Sequence, residues 1–125
     1  MIQKISCTLA SLFCATLLSA TVLAQGSSPP PWEASPDVYK VIGETAGYRI
    51  ILATWKPGQI DNPHSHKPGV AVYLTDCNLR NHRPEIAPAA NVFKAGQTRP
   101  TSAIPSHRTE NIGNADCQLI HVDTK

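Results

Sequence analysis

His64 and His66, separated by Ser65, are the residues of this chain best suited to chemistry. On an extended strand, side chains two apart leave from one face, so two imidazoles stand side by side. Imidazole suits zinc, copper, nickel and iron, and such a pair can fill two positions on a single ion. Solvated or core-bonded histidine pairs share this spacing, so the pair alone leaves both readings open. The other titratable residues read as ordinary. His82 lies beside Asn81 and Arg83 and reads as a solvated surface residue, while His121, between Ile120 and Val122, reads as structural or superficial. Ser106 precedes His107, but strand neighbours face opposite sides, which excludes a nucleophile–base pair. Arg49, Arg80, Arg99 and Arg108 could bind an acidic ligand, yet no motif places them. No phosphate-cradling glycine loop and no zinc-protease helix motif occurs in the sequence.

The elements that must position these residues read as strands. The histidine pair follows two turn signals, Lys56-Pro57-Gly58 and Asp61-Asn62-Pro63. Segments 38–42, 48–55 and 70–75 are rich in β-branched and aromatic residues. The first two are joined by a turn at 45–47, and 78–82 is placed to pair back on the third. Further strand-like stretches lie at 91–94, 101–104, 107–111 and 118–122, with a tight turn at 112–116. Only 87–92 could hold a helical turn. Many short strands separated by turns imply a sandwich or a closed barrel, and closure removes exposed sheet edges. The 11 prolines and 7 glycines, spread along the chain, oppose long helices.

Bulk properties narrow the partners. With 125 residues, one domain is the default. The formal net charge of +2 is close to neutral and no basic run occurs, so neither a nucleic acid nor an anionic membrane surface is an expected partner. Lys4, then an uncharged run from Ile5 to Val22, then Val22-Leu23-Ala24 form a secretory signal with Gln25 as the mature start. The run is about long enough to span a membrane as an anchor. Its Ser, Thr and Ala content and its small-residue exit favour cleavage, so no permanent anchor is expected and the mature chain is periplasmic or secreted. The expected organisation is a signal peptide over 1–24, a Pro-rich flexible arm over 25–36 and a barrel over 37–125. Trp32 in the arm could dock on the barrel or on a second subunit. Of four cysteines, Cys7 and Cys14 leave with the signal. Cys77 and Cys117 remain as an even pair in an oxidising compartment, which favours a disulfide over two buried thiols.

The spacing around the histidines resembles the two motifs of the cupin superfamily. Gly58 stands six positions before His64 and is followed by His66; Gly96 stands 11 before His107, with Asn111 four after it. The resemblance covers roughly 48–122 and is strongest to small single-domain cupins. It implies an all-β fold, a double-stranded β-helix or jelly-roll barrel. It also implies that His64, His66 and His107 are metal ligands at the barrel mouth. Tyr73 and Asn111 are the candidate pocket residues. The sequence departs from the motifs where the carboxylate ligand would fall, at Val70 or Ala71, and where Ser102 and Ile104 replace proline and glycine. Three histidines without a carboxylate favour zinc, copper or nickel over manganese and depart from the two-histidine, one-carboxylate iron site, although iron stays among the candidate metals. Asp61 or Glu110 could supply an oxygen ligand. The resemblance admits a small organic ligand in the barrel, a homodimer, and dioxygenase, isomerase or decarboxylase chemistry. The alternative is a non-catalytic binding or structural cupin with a degenerate site.

Overall fold

Alternating burial builds the strands. In β2 (Tyr48–Trp55) the inward set Ile51, Ala53 and Trp55 is buried. In β9 (Cys117–Thr124) it is Cys117, Leu119 and Asp123, with His121 between the last two on the same face. The computed structural model describes residues 26–125, so the expected signal segment lies outside the described residues.

The remaining elements are α1 (Pro31–Ala34), β1 (Tyr39–Glu44), β3 (His64–His66), β4 (Gly69–Tyr73), β5 (Cys77–Arg83), β6 (Ile86–Phe93), β7 (Thr98–Thr101) and β8 (Ile104–Asn111). They form a five-stranded sheet in the order β1-β2-β9-β4-β7 and a four-stranded sheet in the order β3-β8-β5-β6. Every pairing is antiparallel. The fold is all-β, as expected. Between the sheets lie Tyr39, Ile51, Trp55, Tyr73, Leu79, Phe93 and Leu119. Tyr73 of β4 stacks on Phe93 of β6 with ring centroids 4.1 Å apart, tying one sheet to the other. The Cys77–Cys117 disulfide does the same from β5 to β9.

Three expectations are corrected. Segment 78–82 does not pair back on β4: β5 crosses to the other sheet and lies between β6 and β8. Local sequence gives no sign of this, because the crossing is set by which sheet can bury Cys77 and Leu79. The segment at 87–92, where a helical turn was conceivable, is strand throughout; its side chains are largely exposed and its backbone is held by β5. The Pro-rich segment carries a one-turn helix, α1, opened by Pro31. Residues 28–35 of this expected arm lie against the barrel. Ser28 donates to the Pro105 carbonyl, and Ser65 donates to the Pro29 carbonyl, each at 2.9 Å. Trp32 packs on the core with the Arg49 guanidinium 4.2 Å from its ring centroid.

Candidate metal centre

Two adjacent strands deliver the three histidines. β3 presents His64 and His66 on its inward face, and β8 sets His107 directly opposite His64 in the register. A break in the pairing between His64 and His66 lets the short strand turn after the pair. Ring centroids are 4.9 Å apart for His64 and His66, 4.4 Å for His64 and His107, and 5.3 Å for His66 and His107. One ring nitrogen from each lies within 4.8 Å of the other two, so the group could hold a metal ion. All three are buried, His64 completely.

Hydrogen-bond partners fix two of the tautomers. His64 Nδ1 lies 2.8 Å from the Asn62 carbonyl, which can only accept, so Nδ1 carries the proton. His66 Nδ1 lies 3.0 Å from an Asp123 carboxylate oxygen, so it too is the protonated nitrogen. Both Nε2 atoms are therefore left as lone pairs, and they face each other at 3.1 Å; the Tyr39 hydroxyl oxygen, whose proton goes to Asp61, also lies 3.1 Å from His64 Nε2. Two facing lone pairs repel unless a cation lies between them. On a tetrahedral ion with Zn–N bonds of about 2.0–2.1 Å, neighbouring nitrogens stand roughly 3.3 Å apart, close to this separation. A shared proton would also join the two rings, but it would leave His107 buried with neither ring nitrogen bonded, as it is here. The donor set fits a transition metal.

Burial keeps the His64 and His107 rings neutral. Burial pushes His64 down to about 4 and His107 down to about 2. A buried polar cluster packs beside His64. Tyr39 donates to Asp61 at 2.7 Å, Trp55 Nε1 donates to the same oxygen at 3.1 Å, and the Thr109 amide donates to the other oxygen at 2.6 Å. Burial raises Asp61 to about 6 against these three bonds, which favour its charged form. Tyr39 is raised well above its ordinary value by burial and by the neighbouring Asp61 charge. Asp61, a candidate oxygen ligand from sequence, is thus fully committed as a support. Glu110 is likewise outside the site, since it bonds His82 at 3.0 Å and Arg80 at 3.3 Å. That contact also gives His82 a partner where the sequence suggested only solvent.

His121 and Asp123 are the residues that sequence reading missed. His121 is not superficial: its ring lies 4.4 Å from that of His66, and its Nδ1 is buried without a partner. Burial lowers it well below the usual histidine range. In the register it stands opposite Ala71, one of the two positions where the carboxylate would fall by resemblance. His66, His121 and Asp123 form a second group close enough to hold an ion. His66 Nδ1 is already bonded within that group, which makes it a support for the first. The signal was present in His121-Val122-Asp123, two polar residues two apart on one strand face.

Tyr73 lines the cavity beside the histidines. Asn111 does not, which corrects its candidate role. Its side chain donates to the Trp55 and Ala115 carbonyls and accepts from the Gly113 amide, fixing the turn between β8 and β9. The cavity, about 270 Å³, opens on His66, His107 and His121, whereas His64 lies behind them.

Comparison with known proteins bears on the fold. No protein-family model matches the chain, and no curated protein matches it. Among solved structures, it is similar to a cupin domain from Bordetella pertussis Tohama I, with TM-score 0.65 and 17% identity over 70% of this chain and 92% of that one. It is also similar to an uncharacterized conserved protein with a double-stranded β-helix domain from Klebsiella pneumoniae, with TM-score 0.55 and 17% identity over 70% and 75% of the two chains. A cupin superfamily protein from Desulfitobacterium hafniense DCB-2 aligns with TM-score 0.52 and 7% identity over 70% and 75%. At these identities the likeness is one of fold, and the fold is the cupin jelly roll.

Proposed function

We propose that this cupin-fold chain is an exported protein that seats one divalent transition metal on His64, His66 and His107 and takes a small organic ligand in the adjoining cavity. The observation that carries the reading is the pair of facing Nε2 lone pairs at 3.1 Å, with His107 unbonded beside them. The absence of a carboxylate at Val70 or Ala71 favours zinc, copper or nickel. When bound, the metal would supply Lewis acidity on the side that faces the cavity. The chain's own residues do the rest. The Asn62 carbonyl and Asp123 hold protons on the Nδ1 atoms, which leaves Nε2 unprotonated on both rings. The Tyr39–Asp61–Trp55 cluster packs beside His64, and Tyr39 and Trp55 also line the cavity. The disulfide supports export, since such bonds persist in oxidising compartments. Among the described residues, no helix is long and apolar enough to cross a membrane.

Elemental analysis of the purified protein tests the reading. We expect close to one metal per chain after incubation with zinc, copper, nickel or iron and dialysis, and less than a tenth of that in His66→Ala. No retained metal from any of the four ions would overturn it.

A further inference from the structure

We infer that the cavity beside the three histidines takes a small organic carboxylate, held at its charged end by Arg83 and Arg99. The inference deepens the proposed function by naming its ligand class, and it rests on that reading for the cavity's role as the ligand site.

Arg83, at the end of β5, and Arg99, on β7, both line the cavity and both are exposed at its mouth. Among the described residues, no Asp or Glu lines the same space. Arg49, Lys56, Arg80, Lys94 and Lys125 each have a carboxylate within 4.0 Å. Among the described residues, Lys40, Lys67, Arg83, Arg99 and Arg108 have none, and of these five only Arg83 and Arg99 line the cavity. Two unneutralised guanidinium groups over a concave, low-dielectric wall concentrate field toward an anion. Arg99 is also placed, not merely solvated: its guanidinium lies 5.7 Å from the centroid of Phe93, a wall residue.

Deeper in, the cavity is uncharged. Tyr73, Phe93, Leu79 and Leu119 form its apolar wall, and the buried Thr101 hydroxyl has no partner. A ligand that satisfies both zones has an anionic end at the mouth and an uncharged body reaching toward His107. The flat guanidinium fork matches a planar carboxylate in two parallel hydrogen bonds.

Titration of the chelator-stripped protein with benzoate, benzamide and phenyl phosphate, followed by calorimetry, tests this. The three probes share one body and differ in the charged end. We expect benzoate to bind at least tenfold more tightly than benzamide and to weaken as sodium chloride is raised. The double variant Arg83→Gln/Arg99→Gln should lose at least tenfold in benzoate affinity and none for benzamide. Equal binding of benzoate and benzamide, or unchanged benzoate binding by the double variant, would overturn the inference. Tighter binding of phenyl phosphate than of benzoate would overturn the choice of carboxylate. Circular dichroism confirms that the variant is folded. Its metal content, expected to match the unsubstituted protein, separates failure here from failure of the metal reading, because neither arginine belongs to the ligand set.

Discussion

A single hydrogen bond from His66 to Asp123 decides which nitrogen of that ring faces the site. Replacing Asp123 with Asn weakens the acceptor and lets the ring turn or change tautomer. We expect metal affinity to fall by roughly 10–100-fold with the fold intact, as read by competition with a chromogenic chelator; an unchanged affinity would remove Asp123 from the site. The buried rings also set the pH response of the metal-free protein. His64 titrates near 4 and His107 near 2 when folded, against an ordinary 6.5, so the unfolded chain binds more protons below 6.5 and acid destabilises the fold. Asp61 runs the other way. Its folded value of about 6 exceeds the ordinary 3.8, so its contribution is full below 3.8 and lost as pH rises through 6. Each group changes stability by at most about 1.4 kcal/mol per pH unit, and two rings outweigh one carboxyl. Urea unfolding should therefore show stability dropping from pH 6.5 to 4, and a flat or rising profile would contradict the burial of these rings in neutral form. At this scale the sequence exposed His64 and His66 through their spacing alone, and His107 through motif resemblance. It showed His121 and Asp123 as a polar pair on one strand face but not that this face points inward, because a polar pair has no preferred side until the sheet is known.

Strand pairing converts those residues into a site. β3 is only three residues long, and it holds its place because β8 pairs with it on one side while the Pro29 carbonyl accepts from Ser65 on the other. The edge of the four-stranded sheet is thereby covered rather than left as a template for another chain. Between β4 and β9 the backbones close in so far that a Cβ on Gly69 would lie 2.1 Å from the Val122 carbonyl oxygen. Gly69→Ala must therefore push β4 off β9, the strand that carries His121 and Asp123. We expect a loss of about 1–3 kcal/mol in chemical denaturation, the range of an overpacked site. Wild-type stability in that variant would mean that the two strands yield without resistance. Most strands were legible from β-branched runs and turn residues. The placement of β5 beside β8 was not, because it depends on which sheet offers a partner, a contact between segments about 30 residues apart.

For the whole molecule, the disulfide and the arm act where the two sheets would otherwise part. Cys77 and Cys117 close a loop spanning 40 positions between the sheets. Loop-closure entropy assigns such a bridge about 4 kcal/mol. Replacing both cysteines with Ala should lower stability by about 2–5 kcal/mol in urea unfolding, and a loss below about 1 kcal/mol would show that core packing alone holds the sheets together. The sequence by itself determined an all-β chain with one cysteine pair and one histidine pair, because alternation, turn chemistry and residue type are local properties of the chain. Only the tertiary structure decided that His121 stands beside the three histidines, that Asp61 and Asn111 serve as supports, and that Arg83 and Arg99 flank the opening. Each of these depends on the register between strands distant in sequence, which is fixed by packing the two inner faces together.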